Sequence, residues 1–137
     1  MANPNAGFRE VEHTADWELE VWAPDYASLF EQAARGMYVL SDTRLEASPR
    51  KSRILELSAP DPESLLVTFL SELLYLAERE RIGFDRFDLR LENHRLVANL
   101  EGSPLASQSK EIKAVTFHNL AIRKTRRGLE ANIVFDV

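Results

Sequence analysis

Near the start of the chain, His13, Thr14 and Asp16 put an imidazole, a hydroxyl and a carboxylate into four positions, within Glu12-His13-Thr14-Ala15-Asp16. A short apolar segment holding Phe8 and Val11 precedes them, and a strand-like run, Trp17 to Ala23, follows. Polar groups crowded between two such runs make a poor core and good material for a site. The same residues would also close a turn through local side-chain-to-backbone bonds. At the far end, Phe135-Asp136-Val137 sets a carboxylate beside the terminal carboxylate after an apolar strand. If Asp16, Asp136 and the Val137 carboxylate converge, they offer oxygen alone. That donor set suits a hard cation, Ca²⁺ or Mg²⁺, and not zinc or copper. Spacing does not make them converge, and two solvated strand-end acids are the plain alternative. His13 reads as a general base, as a hydrogen-bond donor behind the metal ligands or, most commonly for such a residue, as a turn histidine.

Other candidates are weaker. Lys113 lies in an apolar run, Glu111-Ile112-Lys113-Ala114-Val115-Thr116. It reads either as a solvated strand lysine or as a point charge directed at phosphate or carboxylate. The basic turn Arg123 to Arg127 lacks the interleaved aromatics that RNA binding usually adds to charge. His94 and His118 have no acidic or hydroxyl neighbour in a useful pattern. No glycine-rich phosphate loop, nucleophile elbow or paired-histidine helix motif appears, which counts against a self-sufficient enzyme.

Composition sets the frame for these groups. A chain of 137 residues, 45% hydrophobic and 28% charged, has the make-up of one ordinary globular domain spanning 1–137. Without cysteine there are no disulfides and no thiolate metal ligands. No stretch approaches the roughly 20 apolar residues of a membrane helix, and the opening residues lack a secretory pattern. No membrane partner is expected, and the cytoplasm is the expected location. The net charge of −5 is uneven: residues 1–48 carry three basic and nine acidic groups, residues 110–137 six and three. Such polarity can orient a partner, but it is not the broad basic footprint of a nucleic-acid binder.

The elements that must position the candidates follow from periodicity. Trp17 to Ala23 alternates as a half-buried strand. Asp25 predicts a helix N-cap, with the helix running to about Leu40. Ala59-Pro60-Asp61 repeats the phrase Ala23-Pro24-Asp25 and predicts a second, more apolar helix over 62–80, after a strand at Ile54 to Leu57. Phe84 to Leu91 and Leu96 to Leu100 read as a hairpin around Glu92 to Arg95. Leu100 to Pro104 reads as the start of a loop through Lys110. Ile112 to Ile122 and Leu129 to Val137 read as a closing hairpin around the basic turn. The predicted class is α+β, a single largely antiparallel or mixed sheet covered by two helices.

Taken in order, the Glu12 to Asp16 motif, Leu29-Phe30-Glu31-Gln32-Ala33-Ala34, Leu73-Leu74-Tyr75-Leu76, Glu111 to His118 and Phe135-Asp136-Val137 resemble the archease family over nearly the whole chain. Two positions depart from the family pattern: Phe117, where tyrosine is more usual, and Trp17, where smaller aliphatic residues are. The resemblance implies an accessory factor of the RtcB-type RNA ligase of tRNA splicing and repair. Such a factor promotes guanylylation of the ligase from GTP and permits repeated turnover. It further implies a divalent cation, Ca²⁺ in preference to Mg²⁺, at Asp16, Asp136 and Val137. Asp16, Lys113 and Asp136 become the residues of ligase activation, no residue is catalytic, and RNA is met only through the ligase. Two other functions compete: a metal-dependent hydrolase with His13 as base, which needs an enclosed pocket, and a stand-alone RNA-binding module using Arg123 to Arg127.

Overall fold

The computed structural model describes residues 5–11 and 16–137. Its elements are β1 (Gly7–Val11), β2 (Trp17–Ala23), α1 (Tyr26–Leu40), β3 (Thr43–Leu45), β4 (Lys51–Ser58), α2 (Pro62–Arg79), β5 (Ile82–Glu92), β6 (Arg95–Gln108), β7 (Ala114–Val115), β8 (Arg123–Thr125) and β9 (Gly128–Asp136).

Both helices start where their caps direct. Asp25 and Asp61 are extended, and their carboxylates accept the Ser28 and Ser64 N–H groups at 2.8 and 2.7 Å. Each thereby satisfies a backbone donor that the first turn leaves without a partner. Pro62 follows as the first helical residue, where its missing N–H costs nothing. At the other end of α1, the Ser41 N–H and hydroxyl both bond the Met37 carbonyl. The apolar stripe of α1 buries Leu29, Phe30, Ala33, Ala34, Met37 and Leu40, while α2 buries Leu65, Leu66, Phe69, Leu70, Leu73 and Leu76. Phe30 and Phe69 stack with centroids 6.0 Å apart, joining the two helices. Leu19, Val21 and Ala23 of β2 and Leu129, Ala131, Ile133 and Phe135 of β9 close the same core from the sheet side.

The class is α+β, as predicted, but the strands divide between two antiparallel sheets where one was expected. One sheet runs β1-β2-β9-β7, with β8 also on β9; the other has β6 at its centre, paired to β3, β4 and β5. The division follows from β6, whose 14 residues serve three partners before the chain crosses to the first sheet at Ala114. Alternation identifies a strand's buried face and says nothing about its neighbours.

Two boundaries also differ. Instead of opening a loop, β6 continues through Pro104 to Gln108. Pro104 sits opposite Ile82, the first residue of β5, and its carbonyl accepts the Glu46 N–H at 2.8 Å. Although inside β6, Pro104 faces the first residue of β5, where that ladder ends. The expected strand from Ile112 to Ile122 shrinks to Ala114–Val115. Both the N–H and the hydroxyl of Thr116 bond the Val134 carbonyl, at 3.0 and 2.9 Å, and a turn then closes from Phe117 to Leu120. Side-chain bonding here competes with a regular ladder, and the chain rejoins β9 only at β8. The other hairpin keeps its predicted turn, with Asn93 and His94 both at positive φ (52° and 62°), as a two-residue connection requires.

Candidate functional site

Strand register assembles the candidate site. Within the β2–β9 ladder Trp17 pairs with Phe135, so one further step along each strand sets Asp16 beside Asp136. On the other flank of β9, Ala114 pairs with Asp136, and the Lys113 N–H donates to the Asp136 carbonyl at 2.8 Å. Asp16, Asp136, Val137 and Lys113 thus share one end of three neighbouring strands, although up to 121 positions separate them in sequence. Asp136 and Lys113 are exposed, Asp16 is half-buried, and Val137 packs against the edge of the core. Directly opposed residues in a sheet lie about 5 Å apart at Cβ, close enough for two carboxylates to share a cation.

Carboxylate oxygen fits a hard cation. Among the described residues, however, no three His, Cys, Asp or Glu side chains gather as a metal-holding group. The third expected ligand, the carboxylate of Val137, lies at the same strand end. Glu12 and His13, with the expected role of His13 behind the ligands, lie outside the described residues.

Lys113 also borders a cavity of about 430 Å³ between α2 and the segment leading into β7, together with Tyr75, Glu78, Arg81 and Glu111. Neither Asp16 nor Asp136 lines it. The cavity and the acidic pair therefore stand as separate features, and the carboxylates that line the cavity are Glu78 and Glu111.

Tertiary structure adds two contacts that sequence reading missed. Lys110 places its Nζ 5.5 Å from the centroid of the Trp17 ring, beside the acidic pair. The unusual tryptophan at position 17 was the available signal, but its partner lies 93 positions away. At the basic turn, Arg127 lies 4.2 Å from the centroid of the Trp22 ring and bonds both Glu20 (2.7 Å) and Glu130 (2.6 Å). Hydrogen bonds from Arg127 and then Arg9 hold the Glu20 carboxyl below its ordinary range. The turn thus gains an aromatic from β2, but the guanidinium above it is already committed to two carboxylates. This arrangement fastens the hairpin to the sheet and leaves Arg127 little charge to offer RNA. His94 and His118 are exposed, His94 in its turn and His118 beside Asn119.

Fold and tip together define a class: a small two-helix α+β protein that gathers acids and a lysine at one strand end. Residues 8–137 match the Archease protein family. The chain is 37% identical to the protein archease of Methanosarcina barkeri across all of both chains. It is 30% identical to that of Methanothermobacter thermautotrophicus, over 96% of this chain and 99% of the relative. The solution structure of Methanobacterium thermoautotrophicum protein 1598 superposes with a TM-score of 0.72 at 27% identity, covering 96% and 99% of the two chains. A crystal structure from Thermotoga maritima, described as an archease and possible chaperone, gives 0.70 at 22% identity, covering 100% and 98%, and speaks for the fold alone. This chain belongs to the archease family.

Proposed function

We propose that this protein is a non-catalytic activator of an RtcB-type RNA ligase, promoting guanylylation of the ligase and its repeated turnover. Family membership supports the reading. The observation that carries it to particular residues is the β2–β9–β7 register, which gathers Asp16, Asp136, Val137 and Lys113 at one exposed strand end. In this reading Asp16, Asp136 and the Val137 carboxylate hold a divalent cation, Ca²⁺ before Mg²⁺. A divalent cation bound there would offset most of their mutual repulsion and would supply a Lewis-acidic centre able to take a phosphate oxygen. Lys113 adds a point charge on the same end. RNA is reached only through the ligase, and the pair acts in the cytoplasm in tRNA splicing. The test is direct: catalytic amounts of this protein should speed guanylylation of an RtcB-type ligase by GTP. An unchanged rate rejects the reading.

The proposed role of Val137 gives a second expected result. Extending the chain beyond Val137 converts its carboxylate into an amide and removes one negative charge from the site. Calorimetric Ca²⁺ affinity should fall roughly tenfold or more, because hard-cation affinity follows ligand charge. Equal affinities would remove Val137 from the ligand set.

A further inference from the structure

Trp17 stands where β2 reaches the acidic tip, its ring packed against the edge of the core and covered by Lys110. The segment that carries Lys110 is fixed at both ends. The Ser109 hydroxyl donates to Asp42 at 2.6 Å and the Lys110 N–H to the Ser41 carbonyl at 3.2 Å, while Lys113 is fastened to Asp136. Two exposed lysines therefore stand three positions apart on an anchored stretch beside Asp16 and Asp136. Among the described residues neither is in an ion pair. Arg127, the other cation resting on a tryptophan, is neutralised by Glu20 and Glu130. An indole face orients an ammonium and costs it rotamer freedom in advance, yet leaves its positive charge intact. Such a lysine is preorganised for an incoming anion.

We propose that Lys110, posed on Trp17, is a second phosphate-binding residue of the tip, acting with Lys113 on one phosphate group in the ligase complex. The inference rests on the activator reading above. It adds a cation outside the Glu111 to His118 motif and gives the tryptophan at position 17 a purpose. The GTP triphosphate and the phosphate at an RNA end share the required chemistry, so two assays separate them: guanylylation of the ligase by GTP without RNA, and RNA joining by ligase already guanylylated.

Lys110→Met is the informative variant, because methionine still covers the Trp17 ring but carries no charge. In whichever assay uses the gripped phosphate, activation should fall about three- to tenfold, the scale of one partly exposed charged contact. The deficit should narrow as salt rises, Lys110→Arg should restore most of the activity, and the melting temperature should stay put. Full activation by Lys110→Met in both assays overturns the inference, and a loss confined to Lys110→Ala would then mark Lys110 as apolar cover only. Asp136→Asn, run in parallel, separates the two levels. If it abolishes activation while Lys110→Met does not, the second lysine alone is wrong. If Asp136→Asn also activates fully, the acidic tip is not the site of activation and this inference falls with it, whereas failure of the unsubstituted protein to activate the ligase removes the activator reading itself.

Discussion

Asp16→Asn should abolish cation binding and ligase activation together, while the folded protein melts at the same temperature or slightly higher. Asparagine keeps the shape and one oxygen acceptor but removes the charge that a hard cation requires. Register places Asp16 beside Asp136, and like charges directly opposed across a sheet are destabilising without an intervening cation. Removing one should therefore cost the apo fold nothing. Lys113→Ala should give the complementary result. Its exposed side chain is in no ion pair with a described residue, and the bond it makes to Asp136 comes from its backbone N–H, which alanine retains. Folding should survive and activation should fall at least tenfold, as removal of a charge-assisted hydrogen bond worth about 1.4 kcal/mol or more would give. Melting temperature, Ca²⁺ calorimetry and ligase guanylylation belong on the same preparations. A purely structural role predicts the reverse, because a half-buried turn acid left without its bonds would cost about 1–3 kcal/mol. Variants that melt early yet activate normally would dismiss the tip as a functional site.

For stability, the largest single expected loss is at Gly102. In β6 this residue faces Phe84, next to the irregularity at Asp85 where β5 bulges. A Cβ built on Gly102 would overlap the Gly83 carbonyl oxygen and crowd the Phe84 Cα. Both neighbours are backbone in a paired strand, so neither can yield without breaking the β5–β6 ladder. Gly102→Ala should cost on the order of 3 kcal/mol or more, as severe overpacking does. That corresponds to roughly 10 °C or more in melting temperature for a chain of this size. Gly36→Ala is the control. There the atoms nearest an added methyl are side-chain carbons of Leu19 and Phe8, which must shift within the core but break no backbone ladder, and alanine's helix preference of about 1 kcal/mol offsets part of that cost. Equal melting temperatures for the two variants would show that β5 and β6 approach less closely than the structure has them.

Local physics made the helices readable from sequence. Asp25 and Asp61 announce their caps, Pro62 marks a first turn, and two apolar stripes of helical period have only one stable use, burial against a sheet. The same holds for β2, whose alternation separates Leu19 and Val21 from Glu18 and Glu20, and for the turn at Asn93 and His94. The residue types at the candidate site were equally legible: acids and a lysine are visible wherever they stand. Partnership was not. A strand pattern is satisfied by any neighbour of the right face, so the division into two sheets depended on how far β6 runs and on which strands it pairs with. The break after Val115 depended on Thr116 finding the Val134 carbonyl, a bond made across 18 positions. The assembly of Asp16, Asp136 and Lys113 came from register, which is set by simultaneous burial of the Leu19, Ile133 and Phe135 side chains. Lys110 on Trp17 and Arg127 on Trp22 required the packed sheet as well, because sequence distance hides which aromatic a cation will meet. Composition and spacing thus determined which chemistry was available, and tertiary packing decided which groups stand together to use it.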